Sequence, residues 1–225
     1  MAKPKARTDR RDEALSRDRI VEAAIELLDR EGEAGLTFRA LATHLATGPG
    51  AIYWHVANKG ELLAAASDAV VARALTDVRA STSARKSIRA LSVRVFEAVD
   101  AHPWVGTELS QNPWPTAMLR IFERLGQQVE ALGVSGAARF TATMVLVSYV
   151  VGESRQNAAN GLVARQQPER ADLLESMAAQ WGALDAREYP FTRTVAARLR
   201  EHDDRTEFLA GIDLILAGLA ASGRP

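Results

Sequence analysis

Residues 37–63 confine this chain to a narrow set of folds, because they hold three helix starts too close together for any of the first helices to be long. Thr37 precedes Phe38, Leu41, Ala42 and Leu45, the i, i+3, i+4, i+7 spacing of one helix face. Pro49 then suits the first turn of another helix, where its missing N–H costs nothing. Asn58, with Glu61 three residues later, forms a variant of the capping box and starts a helix carrying Leu62, Leu63, Ala66, Val70 and Val71. Helices of two turns do not stand alone in water, so they must dock on a neighbour. The neighbour lies upstream: Ser16 caps a helix with Ile20, Ala23, Ala24, Leu27 and Leu28 on one face, Asp18 in its first turn and Gly32 at its end. Three short helices, the second and third separated by a tight turn, have helix-turn-helix spacing.

The segment PGAIYWHVANKGELL, residues 49–63, is the informative part. With Ile52 and Val56 inward and about 100° per residue, Trp54 points away from the core. Gly50 and Ala51 lie on the outward half, and Tyr53 and His55 flank the buried seam. A large apolar group is normally covered, so an outward tryptophan requires a reason. If this helix enters the major groove, Gly50 and Ala51 remove bulk where the backbone approaches base edges. Tyr53, His55 and Lys59 can donate to phosphates, and Trp54 offers an apolar surface to a thymine methyl or a sugar. The alternative is that Tyr53 and Trp54 pack against the first or fourth helix.

From Ala84 onward the apolar positions keep helical spacing and the breaks fall at Gly and Pro. Helices are expected over 84–101, 103–110, 115–132, 135–160, 168–181, 191–200 and 206–221, which makes the chain all-α. With 47% hydrophobic and 25% charged residues and no net charge, it has the composition of an ordinary globular protein. It has no cysteine, which excludes disulfides, thiolate zinc sites and a cysteine nucleophile, and a reducing cytoplasm fits. The start MAKPKARTDRR reads as a flexible basic arm with no apolar run behind it. The most apolar run, 140–152, is too short for the ~20 residues that cross a bilayer, so no membrane partner is expected. Through residue 60 there are ten Lys and Arg against nine Asp and Glu, so charge alone does not decide for nucleic acid. No nucleophile elbow, phosphate loop or metal-spaced cluster points to an enzyme.

GLTFRALATHLATGPGAIYWHVANKGELL resembles the DNA-binding motif of TetR-type repressors, in particular the branch of the tetracycline repressor, where YWHV followed by NK is characteristic. AHPWVGTEL, YPFTRTVAARL and EFLAGIDLILAGLAA resemble the helical regulatory domain of that branch. The resemblance implies a flexible arm over 1–15, a helix-turn-helix domain over 16–62, and a helical ligand-binding and dimerisation domain over 63–225. It implies that Thr37 and Arg39 meet phosphate and base edges, that Tyr53, His55 and Lys59 hold phosphates, and that Gly50, Ala51 and Trp54 face the groove. Pro49 and Gly50 replace a more polar pair, so the base preference does not carry over.

The final helix, with Phe208, Leu209, Ile212, Leu214, Ile215, Leu216 and Leu219, is apolar on nearly every side and needs cover on two faces. By resemblance it pairs, with Val147 and Val151 of the long helix and with Ile212, Ile215, Leu216 and Leu219, against a second copy as a four-helix bundle. A larger monomeric core is the other reading. Phe96, Trp104, Trp114, Met118, Phe122, Met144 and Tyr149, with Gln156, describe either a small-molecule pocket or a core; the resemblance favours the pocket. Trp104 and Ser148 stand where the tetracycline repressor needs histidines and Gln156 where it needs a glutamate. A magnesium-tetracycline ligand is disfavoured, no metal or cofactor is expected, and His102 reads as a helix-end residue. The whole describes a regulator, most simply a repressor, that binds near-palindromic double-stranded operator DNA as a homodimer and answers a small-molecule effector. A helical protein-binding adaptor is the alternative.

Overall fold

A computed structural model describes residues 15–76, 83–111, 115–164 and 170–222. Trp114 and the basic arm through residue 14 lie outside the described residues. Among the described residues there is no strand. The helices are α1 (Arg17–Gly35), α2 (Phe38–His44), α3 (Pro49–Tyr53), α4 (Lys59–Thr76), α5 (Ala84–Ala101), α6 (Pro103–Gln111), α7 (Thr116–Ala131), α8 (Ala137–Ala164), α9 (Arg170–Ala183), α10 (Pro190–Val195) and α11 (Asp204–Ser222), with a 3-10 helix at Ala196–Glu201.

The capping residues start α1 and α2 as their chemistry requires: the Ser16 hydroxyl accepts from the Arg19 N–H at 3.2 Å and the Thr37 hydroxyl from the Ala40 N–H at 3.1 Å. Gly32, at φ +67°, breaks α1 near its end. The faces expected to be apolar are the buried ones: Ile20, Ala23, Ala24, Leu27 and Leu28 on α1, Leu41 and Ala42 on α2, and Ile52 on α3. α3 is a helix of five residues, too short to stand alone, and docking through Ile52, with Val56 just beyond it, helps hold it in place.

α4 joins the two halves of the molecule. It packs on α1 on one side and on α5, α6 and α7 on the other. Its residues Leu62, Ala66, Val70, Val71 and Leu75 belong to one buried apolar cluster that runs from Ile20 to Leu216 without a break. Residue 62 therefore lies inside a continuous helix that belongs to both halves.

In the larger half, α8 is central and α5, α6, α7 and α11 pack around it. α6 comes so close that a Cβ at Gly106 would stand 3.0 Å from Val99 and 3.3 Å from the Arg155 backbone. α11 is anchored by Phe208, whose ring stacks on Phe96 and Tyr149 at centroid distances of 4.6 and 5.7 Å. The Tyr149 hydroxyl donates to the Phe208 carbonyl at 3.1 Å. Burial, with Glu153 and Glu207 adding to it, pushes the phenol of Tyr149 up, so it remains a neutral donor. α9, α10 and the 3-10 helix pack chiefly on one another, tied by the bidentate Arg200–Glu175 pair at 2.6 and 3.0 Å.

The outward faces of α8 and α11 differ from expectation. Val147, Val151, Ile212 and Leu216 are already buried within the chain, and Ile215 and Leu219 are half-buried. The residues turned outward are Val145, Ser148 and Gly152 on α8 and Ala210, Leu214 and Ala217 on α11, with Leu214 74% exposed. Both helices are apolar nearly all round, so periodicity does not distinguish the inner from the outer stripe.

Several exposed carboxylates are held below the usual range: Asp213 by the Arg89 guanidinium and then Arg85, Glu61 by the Ala57 N–H and then Arg17, and Glu175 by Arg200. Folded values below the unfolded ones mean that their stabilisation is complete above the ordinary carboxylate range and is lost as pH falls through the folded values. The thermal midpoint is therefore expected to hold from pH 7 to about 5 and to fall steadily below about pH 4. Calorimetry across that range checks it; a midpoint that rises on acidification would contradict these contacts.

Candidate nucleic-acid interface

The turn between α2 and α3 is built by backbone bonds. The Leu45 N–H donates to Leu41 at 2.9 Å, and the Thr47 N–H reaches back to the Ala42 carbonyl at 2.9 Å, with Ala46 between them at φ +51°. This is the 6→1 closure of a helix C-terminus with a left-handed residue, and it turns the chain sharply enough for Gly48 and Pro49 to start α3. The Ala51 N–H donates to the Gly48 carbonyl at 3.0 Å.

With Ile52 fully buried, the opposite side of α3 carries Gly50 and Trp54. Gly50 is exposed, and a Cβ there would meet nothing within 4 Å. Trp54, the C-cap of α3, is 90% exposed. This removes packing against the first or fourth helix as its role. Pro49 is exposed and Ala51 half-buried beside them. Tyr53 is 55% exposed, with one face of its ring stacked on Phe38 at 4.3 Å and an interplanar angle of 5°. Phe38 is the first apolar position of α2, and its stack fixes the direction of the tyrosine.

His55 is half-buried, its backbone N–H bonded to Ile52 at 2.9 Å. Thr37 and Arg39 are exposed at the start of α2, and the Thr37 hydroxyl is engaged in its cap. Lys59 does not project freely: its ammonium donates to the Glu33 carbonyl beyond the break in α1, with the Glu33 carboxylate 3.9 Å away. Behind it the Asn58 carbonyl oxygen accepts from the Glu61 N–H at 2.9 Å, and Glu61 returns to the Ala57 N–H at 2.9 Å. Asn58→Ala is expected to lower stability by about 1 kcal/mol, the value of an N-cap, read as a lower urea midpoint with an unchanged slope.

Among the described residues, the seven expected with Trp114 around a pocket do not line one common cavity. Phe96 and Tyr149 are filled in by Phe208 as core. Trp104 turns toward α1, its indole N–H donating to Asp29 at 2.8 Å. Met118, Phe122 and Met144 are half-buried, with the Phe122 ring 6.0 Å from exposed Phe140. Gln156 is exposed and bonds Asn160 at 3.2 Å, whereas the buried amide one position on, Asn157, donates to Asp100 at 2.9 Å. A cavity of about 470 Å³ opens instead between α4 and α7, lined by Ala72, Leu75, Leu119, Arg120, Glu123 and Arg124. Arg120 there holds Asp68 of α4 through both carboxylate oxygens.

Comparison with known proteins fits this arrangement. Residues 20–66 match the family model of bacterial regulatory proteins, tetR family, and residues 82–222 match that of the tetracyclin repressor-like C-terminal domain. An HTH-type transcriptional regulator of Saccharopolyspora erythraea is 31% identical over 212 residues, covering 92% of this chain and 86% of the relative. The transcriptional regulator SCO7222, a TetR from Streptomyces coelicolor, is 52% identical and superposes with a TM-score of 0.84 over 94% of this chain and all of that one. The Streptomyces coelicolor TetR family protein ActR in complex with actinorhodin is 26% identical, with a TM-score of 0.75 over 92% of this chain and 96% of that one. With both halves matched, the chain belongs to the tetR family of bacterial transcriptional regulators.

Proposed function

We propose that this chain is a ligand-responsive repressor that binds a near-palindromic operator as a homodimer and is released by a small-molecule effector. It is a DNA-binding regulator by family and not an enzyme. The observation that carries the reading is the outward side of α3, where Gly50 is open and Trp54 stands 90% exposed opposite a fully buried Ile52. Exposing an indole costs solvation in the free protein unless a ligand covers it, and the major groove offers thymine methyls and sugars that can. In this reading 16–62 is the reading head and 63–225 the regulatory and dimerisation part, acting in the cytoplasm. Lys59 exchanges its contact with Glu33 for a phosphate, a trade of one oxygen acceptor for a charged one.

The outward stripe of Val145, Ser148 and Gly152 with Ala210, Leu214 and Ala217 is the face proposed to meet the second copy, because small residues let helices approach closely. Two heads then address half-sites about 34 Å apart or at a somewhat longer spacing. The effector is assigned to the cavity between α4 and α7, whose size suits a small molecule and whose wall is the helix that continues into the head. The ActR–actinorhodin complex supports a small-molecule ligand for this fold. Binding there shifts the population toward a head separation that no longer fits the operator.

The test is a band shift with the DNA upstream of the protein's own coding region. Retardation that Tyr53→Ala weakens and that a compound found by thermal shift reverses supports the proposal. An unshifted duplex at micromolar dimer and low salt would point to the adaptor reading instead.

A further inference from the structure

We propose that Asp29 is a positioning residue for operator reading: its carboxylate latches the head to the regulatory half at a point separate from α4 and so sets the angle at which α3 is presented. The inference rests on the reading of α3 as the recognition helix. Asp29 lies on the last regular turn of α1 before the break at Gly32. Its Oδ1 accepts the indole N–H of Trp104 at 2.8 Å and lies 2.7 Å from Nδ1 of His102. A carboxylate only accepts at neutral pH, so the imidazole donates there.

Both donors belong to the other half, and the backbone fixes both in advance. His102 is the C-cap of α5, its N–H bonded to the Ala98 carbonyl at 2.9 Å; its own carbonyl receives the Val105 N–H at 2.9 Å and so starts α6. Trp104, in that first turn, is buried. The two rings sit 6.2 Å apart at 64°, converging on one oxygen. Hydrogen bonds to an ionised acceptor are the strong kind, and two of them from two helices hold direction as well as distance.

The rest of the junction is what makes the latch matter. The head is tied to α4 by the Arg17–Glu61 and Arg73–Glu22 pairs, so it follows that helix. One helix leaves rotation about its own axis free; a second attachment removes it. α1 and α6 touch through the shared apolar core, but a cleft of about 430 Å³ opens beside that contact, bordered by Leu28, Gly32, Leu63, Trp104 and Glu108, so apolar packing covers only part of the junction. Beside that open volume, the bonds at Asp29 add a directional restraint on the end of α1 that apolar packing alone does not give. Any displacement of α6 is then felt directly at the end of α1, without passing through α4.

The chain has no cysteine, so spin labels can be placed at Thr43→Cys on the head and Gln127→Cys on α7. Diluting with excess unlabelled chain isolates the distance within one protomer, whatever the oligomeric state. Asp29→Ala, and Trp104→Phe, which keeps a ring but loses the N–H, are expected to broaden that distance distribution and to weaken binding to the upstream operator roughly tenfold. Glu22→Gln, which breaks an α1–α4 pair, is expected to leave the distribution at the wild-type width. A wild-type distribution in both latch variants would overturn the proposal, and so would equal broadening in Glu22→Gln. Failure of the wild-type protein to bind DNA would overturn the function proposed above, while the distances would still decide the latch.

Discussion

Gly50→Glu is expected to lower operator affinity by about a hundredfold or more while leaving the melting temperature within a degree or two of wild type. The folded state has room for the change: Gly50 is exposed, and a Cβ there meets nothing within 4 Å. The position follows Pro49 in the first turn of α3, where a carboxylate complements the helix dipole. In the groove the same carboxylate would be pressed among phosphates, and like charges brought together across an interface cost several kcal/mol. Every head of a dimer would carry the defect. Fluorescence anisotropy with a labelled duplex and thermal unfolding, measured on one preparation, separate the two effects. Wild-type affinity in Gly50→Glu would remove α3 from the groove.

The largest stability change is expected at the other end of the chain. Phe208 is fully buried, stacks on Phe96 and Tyr149, and its carbonyl receives the Tyr149 hydroxyl. Truncation to alanine removes the ring and leaves a cavity between α5, α8 and α11, for a loss of about 3–5 kcal/mol. Native proteins have about 5–15 kcal/mol in all, so the variant would stand near the edge of folding. The Tyr149 bond runs to a backbone atom and survives the substitution, so the loss measures the ring rather than the network. Chemical denaturation of Phe208→Ala reads this as a fall in the midpoint; a loss below about 1 kcal/mol would show that α11 is held by something other than this stack.

Residues 16–63 were legible because they are built from local rules. Ser16, Thr37 and Asn58 cap through side-chain oxygens three residues from their donors, and sequence records such pairings directly. The side of α3 was legible for the same reason: one buried anchor, Ile52, fixes where Gly50 and Trp54 point. What sequence left open at Trp54 was a choice between a protein neighbour and solvent, and that depends on how far α1 and α4 stand from α3.

Contacts between distant segments were not legible. Sequence leaves Trp104 between a pocket and a core, and its acceptor, Asp29, lies 75 residues away on another helix. Periodicity assigns a face and says nothing about which helix faces it. Val147, Val151, Ile212 and Leu216 show the same limit in another form. α8 and α11 lack a polar stripe, so the sequence shows that two faces are covered but not which one the chain covers by itself. Sequence places Lys59 at the start of α4, but its bond to the Glu33 carbonyl depends on the broken end of α1.

The most direct test of the account is the salt dependence of binding to the upstream duplex, measured by anisotropy between about 50 and 200 mM salt. A dimer whose two heads each neutralise several phosphates is predicted to bind at nanomolar to low-micromolar concentration at the low end and to lose about a thousandfold or more across that range, with a linear log–log plot. No binding at micromolar dimer in low salt, or an affinity that does not change with salt, would contradict it.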